Sequence, residues 1–275
     1  MRKEQVDRLI IVGVVLVILT NIPKKLFADE TQRVIHVFVA LCDNVHQGIV
    51  PVPPALGNGD DPGNNLYWGA LYGVKTFLKK SPRWQLVSTV VKPPHLQQKD
   101  AAVLERCIFR HKEQPNVYLV ADAYQGRKIK QAIVDFLDAA SGALRDKIIV
   151  GKGEPSREID VYGGAQLLAY VGHDGLMDFS LSRYPRQQNR LHRDAIILAC
   201  LSQKYFAVPL AHSGANPLLW TTGFMAPEAY TLESALEGWI ARETPEQIRQ
   251  RAAVSYHKYQ KCGINAAKRL LVSGF

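Results

Sequence analysis

Several short motifs that identify a function are absent from this sequence. Neither GxGxxG nor GxxxxGK[ST] occurs, although a glycine-rich turn follows the strand-like run Ile148 to Gly153, so a nucleotide site is excluded. The four cysteines form no CxxC pair and no His/Cys cluster with zinc spacing, which argues against a structural metal. No GxSxG frames Ser213, which argues against a serine nucleophile.

The chain also lacks a linker, a fixed-period repeat and a low-complexity tract. It has 275 residues, 47% of them hydrophobic, enough for a large core, and we expect one domain over residues 29–275. The formal net charge is +9, but the basic residues are dispersed and do not alternate with aromatic ones. This distribution argues against a nucleic-acid partner.

Residues 1–28 have the pattern of a targeting segment. Arg2, Lys3 and Arg8 form a basic start, and the run from Leu9 to Thr20 contains no charge. Its length is typical of a signal-peptide core and short for a membrane-spanning helix. We therefore expect an exported protein, periplasmic or extracellular, whose only membrane contact is an N-terminal anchor if the segment is not cleaved. A buried first strand is the remaining interpretation, and disulfides stay open for an exported chain.

Short apolar runs alternate with amphipathic segments along the chain, which predicts an α/β fold with a mostly parallel sheet. Strands are expected at residues 34–41, 84–91, 104–110, 117–123, 148–153, 167–171, 195–199 and 218–222, the second and third forming a hairpin. Helices are expected at residues 66–80 and 128–140, from about residue 226, and from a capped start at Thr244 onward.

The segment from residue 42 to residue 69 is rich in Gly, Pro, Asn and Asp and predicts a long loop. It follows the first strand, so it leaves the carboxyl edge of the sheet, where ligands bind in open α/β folds. Asp43, Asn44 and His46 are therefore candidates for the rim of a site. The acidic and amide cluster in the same loop offers oxygen ligands for calcium, but its spacing fits no EF-hand loop, which favours solvated turns.

Two buried runs end on residues with reactive chemistry. LLAYV leads into Gly172-His173-Asp174-Gly175, and AIILA ends at Cys200. An imidazole and a thiol brought to one sheet edge are the base and the nucleophile that nucleophilic catalysis by a cysteine requires. Either residue alone is more often a turn histidine or a core-filling cysteine; the hypothesis rests on the pair.

A hydrophobic strand ending in His-Gly, followed by one ending in Ala-Cys, resembles the caspase-like cysteine peptidases of clan CD (caspases, metacaspases, legumain, gingipains). The matching pieces are LLAYVGHDG and AIILAC, in the family's order. The resemblance implies a caspase–haemoglobinase fold, a three-layer sandwich around a mostly parallel sheet. It also implies a polypeptide substrate, no cofactor, and catalysis by His173 and Cys200, with Gly175 in the oxyanion turn.

The sequence departs from that family in ways that leave alternatives open. Asp174 replaces the glycine that follows the family's histidine, and it either orients the imidazole or disturbs the oxyanion site. The separation of 27 residues between His173 and Cys200 predicts a compact loop and helix. Asp178 and Glu228 are candidates to accept a basic substrate side chain. A catalytically inactive binding or scaffold protein and a Cys-His amidase or acyltransferase are the rival functions.

Overall fold

The computed structural model describes residues 32–93, 102–151 and 156–275. Its strands are β1 (Arg33–Ala40), β2 (Trp84–Val91), β3 (Val103–His111), β4 (Val117–Tyr124), β5 (Arg145–Val150), β6 (Arg157–Tyr162), β7 (Leu167–Val171), β8 (Asp194–Leu198), β9 (Asn216–Thr221) and β10 (Leu271–Val272). Its helices are α1 (Val74–Lys80), α2 (Ile129–Ser141), α3 (Ser202–Ser213), α4 (Ala229–Ile240), α5 (Pro245–Gln260) and α6 (Ile264–Leu270).

The main sheet has eight strands in the order β10-β9-β8-β7-β1-β4-β3-β2. Its five central strands, from β9 to β4, run parallel, and antiparallel strands close both edges. Strands β4 and β7 are buried along their whole length, as expected for apolar runs covered on both faces. The predicted α/β fold with a mostly parallel sheet is confirmed.

Helices cover both faces of the sheet and form three layers with it. On one face, helices α1, α4, α5 and α6 pack into a core with the odd-numbered positions of β1, such as Val37. On the other face, α2, α3 and the β5–β6 hairpin pack around residues such as Phe38 and Trp220. Successive side chains of β1 therefore pack alternately into two separate cores, one on each face of the sheet.

Two predicted helical features are wrong. The helix expected at residues 66–80 begins only at Val74, because the preceding residues fold into turns around Asn65 and Gly69. A Cβ atom at Gly69 would overlap the Gly63 carbonyl, so this segment needs close backbone contact rather than a helix. The linking segment between β7 and β8 contains one 3-10 turn at Gly175–Met177 and no α-helix.

The C-terminal region follows the predicted capping signal. The Thr244 side chain accepts a hydrogen bond from the backbone N–H of Gln247, and the Gln247 side chain accepts one from the backbone N–H of Thr244. Helix α5 therefore begins with a capping box. The predicted inner face of α5 is buried at Ile248, Ala252 and Tyr256. The sequence patterns did not predict strands β6 and β10. They also did not predict helix α3, which contains the apolar run at residues 206–210.

The expected leader at residues 1–28 lies outside the described residues, so export and the domain boundary stay predictions. Within the ranges that the structure does describe, no helix has both the length and the apolar character that crossing a membrane requires.

A charged network lies inside the core that contains α2. Arg106 donates to Asp122 through Nε at 2.6 Å and Nη2 at 2.7 Å, and His36 Nε2 lies 3.0 Å from the same carboxylate. Burial opposes ionisation of Asp122, but the charge and hydrogen bonds of Arg106, together with those of His36, outweigh burial and hold the carboxyl pKa below its ordinary value. The Tyr162 amide donates to His36 Nδ1 at 2.8 Å, so the network ties β6 to three strands of the sheet.

Replacing one member of this network should destabilise the fold strongly. Asp122→Asn leaves the Arg106 guanidinium buried without its counter-charge, so we expect a loss of about 3–5 kcal/mol in the free energy of unfolding. Urea denaturation provides the measurement. Glu158→Gln, which breaks the exposed 2.6 Å pair with Lys147, is the control and should leave the curve nearly unchanged. Similar losses for both variants would contradict the assignment.

Candidate active site

His173 and Cys200 lie at the same edge of the sheet because their strands are neighbours. Strands β7 and β8 run parallel, and Val171 pairs with Leu198. Two residues beyond that pair, the chain reaches His173 on one side and Cys200 on the other. Both residues line one pocket of about 330 Å³. The register of two strands thus brings an imidazole and a thiol to a shared cavity.

Four segments at the carboxyl ends of the parallel strands form the walls of this pocket. They are the loop after β1, the turn after β7, the turn after β8 that carries Cys200, and the loop after β9. Besides His173 and Cys200, the lining residues are Gly48, Ile49, Val50, Tyr67, Gly172, Met177, Phe224, Met225 and Pro227.

Hydrogen bonds hold both the ring and the backbone of His173. Its Nε2 lies 2.7 Å from Asp178 Oδ2, and since a carboxylate only accepts, Nε2 carries the proton and donates it. The Tyr170 hydroxyl donates to the His173 carbonyl at 2.8 Å. Asp178 therefore orients the imidazole through Nε2, whereas the Cys200 sulfur contacts the Met225 backbone, and among the described residues no hydrogen bond joins the sulfur to His173.

Asp178 also connects the histidine to the long loop after β1. The Gly48 amide donates to Asp178 Oδ2 at 3.0 Å, the oxygen that also contacts His173. Asp178 Oδ2 therefore already accepts two hydrogen bonds within the protein. Glu228, the other acidic candidate, accepts hydrogen bonds from the Tyr230 hydroxyl at 2.6 Å and from Gln260 Nε2 at 3.1 Å.

Cys200 sits in the short turn between β8 and α3. Leu201 has a φ of 52°, so the chain turns sharply and α3 begins at Ser202. The Met225 amide donates to the Cys200 sulfur at 3.4 Å. Burial raises the pKa of the Cys200 thiol, and the Met225 amide opposes this while the charge of Asp174 adds to it. The resting thiol is therefore protonated, and its reactivity depends on a base.

Asp174 makes no hydrogen bond to the imidazole among the described residues. Its side chain is fully buried, Oδ1 accepts from the Leu176 amide at 3.0 Å, and Oδ2 has no hydrogen-bond partner among the described residues. Burial raises the pKa of this carboxyl to about 7. Of the two roles considered for Asp174, disturbance of the oxyanion site stays open; the hydrogen bond to the imidazole comes from Asp178, while Asp174 caps the 3-10 turn after His173.

Gly175 is buried in that turn and is not part of the pocket lining. A Cβ atom there would contact Phe179 and Ile133, which belong to the core on the α2 side of the sheet. The backbone amides of Asp174 and Cys200 lie nearer the reactive side chains in sequence, and within the described ranges neither has a hydrogen-bond acceptor.

The three rim candidates shape the long loop without lining the pocket. Asp43 Oδ1 accepts from the amides of Val45 and His46, and Asp43 Oδ2 lies 2.9 Å from His46 Nδ1. Asn44 makes two hydrogen bonds with the Val52 backbone, at 2.7 and 3.0 Å. Short polar side chains close turns in their own loop. The pocket wall is instead the apolar stretch 48–50, which no motif marks.

The remaining cysteines are separate from the pocket. All four cysteines are free, so the structure contains no disulfide. Burial raises the pKa of Cys42 to about 11 and that of Cys107 to about 12, whereas Cys262 is exposed. Among the described residues, no three His, Cys, Asp or Glu side chains converge on a position that could hold a metal ion.

Comparison of the chain with protein-family models, with curated proteins and with solved structures found no match.

The buried Asp174 should make the stability depend on pH. Its folded-state pKa of about 7 exceeds the value of about 4 in an unfolded chain, so the folded state binds more protons between these values. The free energy of unfolding therefore falls on account of Asp174 as the pH rises from about 4 to about 7. Residue 174 does not titrate in the Asp174→Asn variant, so this variant lacks the fall in the free energy of unfolding.

Urea denaturation at several pH values, from about 4.5 to about 7.5, measures this effect across the window set by the two pKa values. The stability of Asp174→Asn relative to the native chain should rise with pH. Alkylation of Cys200 at pH 8 should also be faster in the variant, because a nearby negative charge has been removed. A stability difference that is the same at every pH would rule out the titration of Asp174.

Proposed function

We propose that this chain is a caspase-like cysteine peptidase, with Cys200 as the nucleophile and His173 as the general base and acid. One observation carries the proposal: a thiol and a held imidazole, at the ends of adjacent parallel strands, line one pocket. The His-before-Cys order and the three-layer sheet are what the resemblance to that superfamily implies. Polypeptides are the proposed substrates, and no cofactor is needed.

The proposed reaction begins when His173 Nδ1 takes the Cys200 proton and the sulfur attacks the scissile carbonyl carbon. The amides of Cys200 and Asp174 donate to the resulting oxyanion. The imidazolium then protonates the leaving amine, and the carbon–nitrogen bond breaks. Water, deprotonated by His173, attacks the thioester, and the acid product leaves as the thiol regains its proton.

Asp178 supports both halves of this cycle. Its carboxylate fixes Nε2 as the protonated nitrogen, so Nδ1 is free of a proton when the thiol needs a base. When Nδ1 takes the thiol proton, the ring becomes positive, and the neighbouring carboxylate stabilises that charge. The raised pKa of Cys200 makes this assistance necessary, because the thiol alone is mostly protonated at neutral pH.

A binding or scaffold protein without turnover is the second candidate. The raised pKa of Cys200 and the neighbouring Asp174 favour it, since a buried carboxylate beside a nucleophile opposes a developing negative charge. A Cys-His amidase or acyltransferase would use the same dyad on another substrate. Enzyme assays with peptide and non-peptide amides separate these possibilities.

The first test removes the two reacting groups. Cys200→Ala should abolish peptide hydrolysis, and His173→Ala should lower kcat/KM by about 10²–10⁴-fold, the range of general acid–base catalysis. Cys262→Ala, which removes an exposed thiol outside the pocket, is the matched control and should retain full activity. Iodoacetamide should label Cys200 in the native chain faster than in His173→Ala. A native chain that hydrolyses no peptide, with equal labelling rates, would support the scaffold instead.

The second test addresses the orientation of His173. Asp178→Asn should lower kcat by about 100-fold with little change in KM, less than the ~10⁴-fold loss for a buried orienting carboxylate. Gly48→Ala should act in the same direction, because a Cβ atom there would lie 2.5 Å from Asp178 Oδ1 and displace the carboxylate. Steady-state kinetics measures the change in kcat and KM, and thermal denaturation shows whether each variant remains folded. Unchanged kcat in both variants would contradict the positioning role.

A further inference from the structure

The pocket beside Cys200 has apolar walls. Ile49, Val50, Met177, Phe224, Met225 and Pro227 supply most of its surface, and none of its lining residues is Asp, Glu, Lys or Arg. An ionised side chain entering this space would lose its hydration without gaining a counter-charge, which is unfavourable. The lining therefore selects against charged ligands.

Two apolar side chains of the pocket wall are largely exposed to water, and a bound apolar ligand would cover them. Val50 and Phe224 are 86% and 74% exposed, although both line the pocket. They come from different loops, the first after β1 and the second after β9. Apolar surface left in water at the mouth of a cavity is stabilised when another apolar group covers it.

Two acidic side chains beside the pocket already have hydrogen-bond partners. Asp178 bonds to His173 and Gly48, and Glu228 bonds to Tyr230 and Gln260. Neither residue lines the cavity. Among the described residues, the cavity wall therefore offers neither an acidic partner for a basic substrate side chain nor a lysine or arginine for an acidic one.

We propose that this pocket binds a large apolar side chain, such as Phe or Leu, on the residue whose carbonyl Cys200 attacks. The inference rests on the proposed function, because it assumes that Cys200 meets a peptide. The volume of about 330 Å³ is at the lower end for ligand pockets, which suits one side chain rather than a whole small molecule. Contact with both reactive residues puts the bound side chain next to the attacked bond.

Fluorogenic peptide amides that differ only at the attacked residue test this specificity. The kcat/KM values for Phe and Leu should exceed that for Ala by at least about 10–200-fold, the range for a single added methylene in an apolar pocket. Peptides with Asp or Lys at that position should be no better than the Ala peptide. Preferred cleavage after a charged or small residue would overturn the inference while leaving the peptidase proposal intact.

A binding measurement keeps the inference testable without turnover. Cys200→Ala cannot cleave, so fluorescence anisotropy can compare labelled peptides that carry Phe, Ala, Asp or Lys at the same position. The Phe peptide should bind at least about 10-fold more tightly than the others. If the native chain cleaves nothing but this preference is found, the peptidase proposal fails and the pocket assignment stands. Equal binding of all four peptides, or binding of none, overturns the pocket assignment.

A substitution in the wall should change the preference in a defined direction. Met177→Glu puts a carboxylate into the pocket, so the preference should move from Phe toward Lys in both assays. Val208→Glu introduces the same charge at an exposed apolar position on α3, outside the pocket, and should leave the preference unchanged. The same Phe preference in Met177→Glu as in the native chain would show that the side chain binds elsewhere.

Discussion

The candidate site depends on the parallel pairing of β7 with β8, since their register sets the positions of His173 and Cys200. Val171 opposes Leu198, and each strand continues for two residues before its reactive side chain. A slip of one residue in this pairing would turn one of the two side chains toward the other face. Both strands are buried in the core, so such a slip would also move apolar side chains to the wrong face of the sheet, and this opposes the slip.

A second constraint links the histidine to a distant part of the chain. One Asp178 oxygen accepts hydrogen bonds from both the His173 ring and the Gly48 backbone. The loop after β1 therefore helps to hold the imidazole and also supplies the pocket wall at Ile49 and Val50. Catalytic geometry and substrate contact, in the proposed function, share this one loop.

Sequence patterns predicted the parts of this structure that depend on strand periodicity. The apolar runs before His173 and Cys200 were recognisable as buried strands, and parallel strands place their carboxyl ends at one edge. Asp178 was considered only as a charge for substrate, because its contact with His173 depends on a turn without regular periodicity. Asp43, Asn44 and His46 had suitable chemistry, but local hydrogen bonds engage them within their own loop. The helix expected at residues 66–80 had the right spacing, yet Asn65 and Gly69 redirect its first half.

Strands β7 and β8 are interior strands, with β1 on one side and β9 on the other. Interior strands exchange their amide hydrogens mainly through large-scale unfolding, whereas surface loops open at much lower cost. The segments that carry the reactive residues are thus anchored in the slowest-exchanging part of the molecule. The loops that bear Val50 and Phe224 lie outside that frame but are bonded to the reactive site, through the Gly48 amide to Asp178 and through the Met225 amide to the Cys200 sulfur. Movement of either loop would therefore change the hydrogen bonding of a reactive side chain while the strand ends stay in place.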